Sequence, residues 1–250
     1  MITNIYRINY SNCGDLSSSP FNYFSAPFPV NRVCISSLDK VRQNYFSVFG
    51  GGGLIYDEWL KGLSSYFNDC KGIAIGWGVG LNIHELGNKA LYPSFVNRFQ
   101  LLGVRDFGFG LRWVPCASCM HHAFDHKYHI TKEIGVFEHV EVPLNVEHPK
   151  FKNNKTVEEA LEFIGGCEKI ITNSYHGAYW SLLLGKKVIV LPVENSSRFY
   201  FFKHKPKIVD YGSLNFEGCQ IYENALQECR DANKTFYKDF LCLINSQKMI

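Results

Sequence analysis

No stretch of the chain carries the roughly 18 uninterrupted apolar residues that a membrane-spanning helix needs. The nearest candidate, 179–193, is interrupted by Lys186 and Lys187. A large charge of one sign is also missing, because 26 Lys and Arg residues face 23 Asp and Glu residues for a net charge of +3. That balance gives no argument for a nucleic-acid or anionic membrane partner. The first 15 residues are polar and lack the apolar core of a secretory signal, so we expect a cytoplasmic protein.

Composition and cysteine usage are those of a globular protein in a reducing compartment. Of the 250 residues, 46% are hydrophobic and 15% aromatic, which excludes a disordered chain and suits one large or two small domains. The nine cysteines are an odd number, which a reducing cytosol tolerates. Most have apolar or helical neighbours, so we expect reduced and mostly buried thiols at Cys34, Cys70, Cys167, Cys229 and Cys242.

The first half of the chain, up to about residue 124, alternates short apolar runs with glycine-rich segments. The runs predict strands at 5–9, 44–49, 71–75, 100–105 and 111–115, and helical spacing of apolar residues predicts a helix over 56–67. The glycine runs 50–53 and 76–80 are interpreted as turns that follow two of the strands. The first run lacks both the Gly-Lys-Ser/Thr of a phosphate-binding loop and the spacing of a dinucleotide fingerprint. It suits a tight strand-to-helix turn or a substrate loop equally well.

The second half predicts alternating strands and helices. Strands are expected at 135–139, 169–172 and 187–193, with helices starting at Thr156 and over 177–184. Thr156 and Glu159 have the spacing of a capping box. This alternation indicates a parallel sheet with helices on its faces. We expect an N-terminal α/β lobe over 1–124, a C-terminal α/β lobe over 132–215, and closing helices over 216–250.

Two such lobes leave a cleft, and ligands of parallel sheets bind beyond the carboxyl ends of the strands. His176 lies in the segment 173–177, where a strand enters a helix whose free N–H groups favour an anion. Asn173 or Ser174 could also cap that helix. An imidazole at this position would titrate near neutral pH, so His176 is the first catalytic candidate.

Charged residues follow three other predicted strands. Asp15 lies in 12–15, which is typical of a simple turn but also offers an acceptor for a sugar hydroxyl. Arg105 could clamp a carboxylate or pair with Asp106. Arg198 follows the last strand of the second half and should also reach the cleft. The basic stretch 203–207 is more typical of a solvated loop.

Cys116 and Cys119 form a C-x-x-C pair with histidines nearby. A zinc site needs four ligands, and this spacing supplies only two because the chain has no second C-x-x-C. We therefore favour a buried turn between the lobes over a metal site.

Taken in order, these motifs resemble the polysaccharide pyruvyl transferase family over roughly residues 8–202. The matching segments are Asn12-x-Gly14-Asp15, Gly51-Gly52-Gly53-Leu54, Gly76-Trp77-Gly78-x-Gly80, Val104-Arg105-Asp106, Pro115-Cys116-x-Ser118-Cys119-Met120, and Ile171-Thr172-Asn173-Ser174-Tyr175-His176-Gly177. Ser197-Arg198-Phe199 is similar to the family's Ser-Lys-Phe. One position departs from the pattern: many members have Arg where this chain has Ser174, so we expect Arg105 and Arg198 to replace that cation.

The resemblance implies two Rossmann-like lobes facing across a cleft, as in GT-B glycosyltransferases. It implies phosphoenolpyruvate as donor, a sugar or lipid-linked oligosaccharide as acceptor, and a cyclic pyruvate ketal of a surface polysaccharide as product, with no nucleic acid, metal or cofactor. Association with the inner face of the membrane and the oligomeric state are left open. Protonated His176 would be the general acid, Asp15 the base and Arg105 a catalytic cation. Substrate binding would fall to Asn12, Gly52, Gly53, Asn173, Ser174, Tyr175, Gly177, Ser197 and Arg198.

Two other functions share the architecture. A glycosyltransferase would need an acidic partner for the ribose of a nucleotide sugar, and Glu194 is the only candidate after 187–193. A non-catalytic carbohydrate-binding homologue is also compatible with Ser174.

Overall fold

A computed structural model describes residues 1–41, 45–69 and 71–247. The first sheet of five parallel strands has the order β2-β1-β3-β4-β5, and we call it, with its helices, the N-terminal lobe. Its strands are β1 (Ile2–Tyr6), β2 (Val30–Cys34), β3 (Phe46–Tyr56), β4 (Ile73–Asn82) and β5 (Leu101–Val104).

The second sheet, that of the C-terminal lobe, is also parallel throughout and has the order β10-β9-β8-β6-β7. Its strands are β6 (Lys132–Glu138), β7 (Lys150–Lys152), β8 (Cys167–Thr172), β9 (Lys187–Val190) and β10 (Lys207–Ile208). The α-helices are α1 (Cys13–Ser17), α2 (Asp57–Asp69), α3 (Val157–Gly165), α4 (Tyr175–Leu183) and α5 (Ala225–Ser246). The predicted α/β class with two Rossmann-like lobes and parallel sheets is confirmed.

The capping box predicted at the start of α3 is present. The Thr156 hydroxyl accepts the N–H of Glu159 at 3.2 Å, and the Glu159 carboxylate accepts the N–H of Thr156 at 3.0 Å. Short turns of 3-10 helix connect other elements, at Pro20–Asn22, Ile35–Lys40, Gly87–Lys89, Ser94–Arg98, Ala117–Met120, His122–Asp125, Val193–Asn195 and Ser197–Phe199.

The glycine runs are not turns, contrary to the sequence-based interpretation. Residues 50–53 lie inside β3 and residues 76–80 lie inside β4. Glycine is required there because neighbouring groups approach the backbone closely: a Cβ on Gly50 would lie 2.2 Å from the carbonyl oxygen of Trp77. The long strands β3 and β4 carry the sheet past the point where the turns were expected.

Several other predicted strands differ from the structure. β1 is Ile2–Tyr6 rather than 5–9, and the run 111–115 makes only one bridge, between Trp113 and Val104. The start of the predicted strand 44–49 falls on Asn44, which lies outside the described residues. Three strands went unpredicted, namely β2, β7 and β10.

Helix α5 is a single helix that joins the cores of both lobes. Near its start, Ala225 and Cys229 pack in the C-terminal lobe. Farther along, Phe236 and Phe240 pack around Trp77 of β4, with ring centroids 5.0 and 5.5 Å apart. One helix therefore contributes apolar burial to both sheets.

The cysteine prediction holds only in part. Cys167 and Cys229 are buried, whereas Cys34 is half-buried and Cys242 is exposed; Cys70 lies outside the described residues. The described cysteines are free thiols. Of the helices described here, none combines the length and the apolar character that crossing a membrane requires.

Candidate active site

A cavity of about 420 Å³ opens between the two lobes, and side chains that follow the strands line it. Arg7 follows β1, Arg105 follows β5, His139 follows β6, and Ser174 follows β8. This is the carboxyl edge where parallel sheets bind ligands. Eight of the predicted site residues reach the cavity wall: Asn12, Asp15, Gly53, Arg105, Ser174, Tyr175, His176 and Arg198.

His176 sits in the first turn of α4, which Ser174 caps by accepting the N–H of Gly177 at 3.3 Å. Its ring is 5% exposed and packs directly on Gly14 of the opposite lobe, where a Cβ would lie 2.2 Å from Nδ1. Its Nε2 is 3.5 Å from the Sγ of Cys116. Because Gly14 of the Asn-x-Gly-Asp motif has no side chain, the imidazole of His176 can pack against its backbone.

The protonation state of His176 differs from the one expected. Burial, with the positive charges of Arg105 and Arg198, lowers the pKa of His176 to about 3. Among these neighbours the neutral ring is favoured at physiological pH, whereas the sequence led us to expect a protonated acid. A bound anion would oppose both arginine charges and favour protonation.

Arg105 is buried, and its guanidinium lies over the ring of Tyr175 with Cζ 3.7 Å from the ring centroid. One terminal nitrogen donates to the carbonyl of Leu81 at 3.1 Å. Its Nε has no hydrogen-bond partner among the described residues. Gly80 makes this position possible, because a Cβ there would lie 2.0 Å from Nε of Arg105.

Asp106 does not neutralise Arg105 by a direct hydrogen bond. The nearest carboxylate oxygen is 3.9 Å from Nε of Arg105, which is too far for one. The carboxylate instead accepts the N–H of Leu81 and the hydroxyl of Tyr92, each at 2.6 Å. Arg105 and Asp106 therefore form the ion pair that was one of the two alternatives, but without a hydrogen bond, so the guanidinium keeps donors for another anion.

Arg198 supplies a second cation from the C-terminal lobe. It follows β9, is half-buried, and its Nε also lacks a partner within the described part of the chain. Burial and the nearby charge of Arg105 lower the pKa of Arg198 to about 10, so the side chain stays charged at neutral pH. The two arginines repel each other, which an anion between them would relieve.

Asp15 lies on α1, half-buried in the cavity wall. Burial raises its pKa to about 6, although Arg7, Arg198 and Arg105 each act in the opposite direction. The carboxylate is ionised at neutral pH and can accept a proton. Asn12 caps α1 by accepting the N–H of Gly14 at 3.0 Å, so residues 12–15 begin a short helix rather than the simple turn that was expected.

Four predicted contact residues lie outside the cavity lining: Gly52, Asn173, Gly177 and Ser197. They lie behind the cavity wall and contact the backbone or side chains of neighbouring elements. Asn173 accepts the N–H of His139 at 2.7 Å, and the Ser197 hydroxyl accepts the N–H of Ile83 at 2.9 Å. Gly177 leaves room for Thr172, whose Oγ1 would lie 2.4 Å from a Cβ, and Gly52 has φ +96° beside Ser18.

Several residues that line the cavity are absent from the sequence-based prediction of the site. Arg7 directly follows β1 and escaped because that strand was predicted to end at residue 9. His139 follows β6, and burial together with Arg198 lowers its pKa to about 4. Applying the strand-end rule to correct strand bounds would have found both. Tyr56, the last residue of β3, and Trp59, in the first turn of α2, also line the cavity. In the sequence they fit the apolar spacing of a core helix, and nothing marked them as site residues.

The structure does not assemble a zinc site at the C-x-x-C pair. Cys116 and Cys119 are completely buried at the turn Ala117–Met120. The described residues bring together a different group, His121, His122 and Glu158. There the Nδ1 of His121 accepts the N–H of Ala123, which leaves the proton on the Nε2 that faces Glu158 at 3.4 Å. His121 and Glu158 therefore face each other as an imidazole–carboxylate pair.

The basic stretch 203–207 also lies outside the cavity lining. Lys203 and His204 both contact the carboxylate of Glu228, at 2.7 and 3.1 Å, and Lys207 donates to backbone carbonyls. Glu194 does line the cavity, but its carboxylate is 2.8 Å from Nδ1 of His84.

Fold and site together define a two-lobed α/β protein with two parallel sheets and, between its lobes, a cavity that Arg105 and Arg198 both line. The family model described as polysaccharide pyruvyl transferase matches residues 125–195, which include His176. The match covers 71 of the 250 residues and supports the family that the motifs indicate, and with it a transferase in polysaccharide biosynthesis that acts on a sugar acceptor.

Two further comparisons complete the picture. A crystal structure of a functionally uncharacterised protein from Klebsiella pneumoniae subsp. pneumoniae NTUH-K2044 is similar at 14% identity and a TM-score of 0.49, covering 76% of this chain and 83% of that one. A search of curated proteins found no match.

Proposed function

We propose that this protein transfers pyruvate from phosphoenolpyruvate to two hydroxyls of a sugar, forming a cyclic ketal. The acceptor is a bacterial surface polysaccharide or its lipid-linked precursor, met in the cytoplasm at the inner face of the membrane. The lobes would be arranged as in GT-B glycosyltransferases. The observation that carries the proposal is the pair of arginines, Arg105 and Arg198. Both line one cavity, and each has a buried Nε without a hydrogen-bond partner among the residues that the structure describes.

Phosphoenolpyruvate suits this pair because it carries a carboxylate and a phosphate ester on the same carbon, C2. A guanidinium binds either group through two parallel hydrogen bonds. Arg105 reaches across the cleft to the ring of Tyr175, the residue directly after Ser174. It therefore brings a cation to the helix end where many family members have Arg in place of Ser174.

The proposed chemistry begins with a proton on the methylene carbon of the donor, which makes C2 cationic. One sugar hydroxyl adds to C2, the bond to the phosphate oxygen breaks, and the second hydroxyl closes the ring. The proton supplied by the acid ends on the new methyl group. Of the two hydroxyl protons, one restores the acid and the other ends on the released phosphate. No step requires a metal or an oxidant.

His176 and Asp15 take the acid and base roles in this scheme. The negative charges of the bound donor would offset the positive charges of Arg105 and Arg198, which lower the pKa of His176. Donor binding therefore raises this pKa and favours the protonated imidazole that acts as the acid. Asp15 is the base that takes the hydroxyl proton. Because its pKa is about 6, the rate should fall as the pH drops through 6 and the carboxylate becomes protonated.

The test is to titrate phosphoenolpyruvate into purified protein and to follow phosphate release with a galactoside or mannoside acceptor. Arg105→Gln and Arg198→Gln should each weaken donor binding about tenfold or more, since charge-assisted hydrogen bonds are lost. Arg98→Gln, at an exposed position outside the cavity, is the matched control. His176→Ala should abolish transfer and leave the protein folded.

Donor binding that is absent from the wild-type protein, or unchanged in both arginine variants, would overturn the proposal. Phosphate release without acceptor would indicate a hydrolytic side reaction. Glu194, the acidic residue that a nucleotide-sugar glycosyltransferase would use for its ribose, lines the cavity in contact with His84, so it does not by itself distinguish that function from the proposed one.

A further inference from the structure

The cavity has two regions that differ in burial and chemistry. The inner region holds Arg105 and His176, which are 4% and 5% exposed. The outer region is lined by partly exposed aromatic rings and by exposed carboxylates, among them Glu58 and Glu194. The inner region suits an anion, whereas the outer region needs a different occupant.

Five side chains of the outer region form a continuous set of contacts. The guanidinium of Arg7 lies 5.4 Å from the ring centroid of Trp59, whose ring meets that of Tyr56 edge-on at 5.0 Å. Tyr56 packs against His84 at 5.3 Å, and His84 contacts Glu194 of the other lobe at 2.8 Å. These contacts hold the rings in place where they line the cavity.

We propose that Trp59 and Tyr56, with Arg7, His84 and Glu194, form the subsite that binds the acceptor sugar as an uncharged pyranose ring. The proposal rests on the proposed function and names where its acceptor binds. The C–H face of a pyranose packs well on an aromatic ring, whose face carries partial negative charge. Carboxylate, imidazole and guanidinium groups around the ring then pair with the sugar hydroxyls.

Charge and position favour a neutral sugar over a second anion. Glu58, Glu141 and Glu194 outnumber Arg7 in the outer region, so an anionic acceptor would meet like charge. Asp15 lies near both regions, because Arg7 of the outer region and the cations Arg105 and Arg198 line the same cavity and all three are close enough to lower its pKa. A hydroxyl of a sugar held on Trp59 would thus face both the base and the donor.

Saturation-transfer NMR with methyl β-D-galactopyranoside, methyl α-D-mannopyranoside and UDP as probes tests the subsite. We expect at least one glycoside to bind the wild-type protein, and Trp59→Ala to weaken that binding about tenfold. Trp59→Leu keeps an apolar side chain against the lobe core and removes the aromatic face, so it gives the same result if Trp59→Ala unfolds. Trp59→Phe should retain most of the binding, and Tyr211→Ala, at an exposed site outside the cavity, should retain all of it.

Three outcomes would overturn the subsite: neither glycoside binds, the Trp59 variants bind as the wild type does, or UDP displaces the glycoside from the Trp59 ring. Calorimetric titration of phosphoenolpyruvate on the same variants separates this result from the proposed function. Donor binding without glycoside binding removes the subsite alone. Glycoside binding at Trp59 without donor binding keeps a carbohydrate site and removes the transfer reaction.

Discussion

At the scale of single residues, two motif glycines of this chain are explained by the side chains that lie against them. Gly14 accommodates the ring of His176, and Gly80 accommodates the side chain of Arg105. In both cases the glycine and its partner are distant in the sequence, and the partner lines the cavity. The motif glycines therefore position catalytic candidates rather than bend the chain.

Replacing Gly80 by alanine tests this positioning role. The new Cβ would lie 2.0 Å from Nε, 2.5 Å from Cδ and 2.6 Å from Cγ of Arg105, so the buried guanidinium must move. We expect phosphoenolpyruvate to bind about tenfold more weakly or worse, measured by calorimetry. Gly62→Ala is the control, because a Cβ on Gly62 in α2 meets nothing within 4 Å. Wild-type donor affinity in Gly80→Ala would show that Arg105 does not need this space.

At the scale of elements, local signals decided which predictions succeeded. The capping box of α3 and the strand-to-helix entry at α4 depend on residues within one helical turn, so both could be predicted. The interpretation of 50–53 and 76–80 as turns was wrong. Glycine also occurs inside a strand where backbone or side-chain atoms from distant parts of the sequence lie close to it. β7 and β10 escaped because they are sheet edges of three and two residues, too short for a periodic pattern.

Thr156→Ala tests the predicted start of α3. The substitution removes the oxygen that accepts the Glu159 N–H, while the rest of the helix keeps its contacts. We expect a loss of about 1 kcal/mol in the free energy of unfolding, measured by urea denaturation. Thr156→Ser keeps the accepting hydroxyl and should stay within about 0.5 kcal/mol of the wild type. Equal losses in the two variants would show that the cap is not the source of the stability.

At the scale of the whole molecule, several contacts fix the lobes against each other. Asn153 of the C-terminal lobe donates to Asn12 of the N-terminal lobe at 2.7 Å, and Ser197 holds the backbone of Ile83. Helix α5 adds apolar burial on both sides. The sequence could place residues at strand ends within each lobe, but it carried no local signal for which lobe α5 would cover.

Phe240→Ala tests whether α5 makes the lobes unfold together. Phe240 is fully buried beside Trp77, and its truncation should cost about 3–5 kcal/mol. We expect one shifted transition in urea. Tryptophan fluorescence should show the same midpoint in a variant that keeps only Trp77 and in a variant that keeps only Trp180 of the C-terminal lobe. Tyr211→Ala, at an exposed position, is the control. A shift confined to the Trp77 signal would mean that the lobes unfold independently.

The interlobe contacts also determine how molecules can reach the buried arginines. Because Asn12, Ser197 and α5 hold the lobes together, a ligand would have to enter the cavity past its exposed lining residues, among them Glu58 and Glu194. A three-carbon phosphate ester is small enough to pass. A long glycan is not, and it would present only its terminal unit at the entrance while the remaining chain stays in solvent.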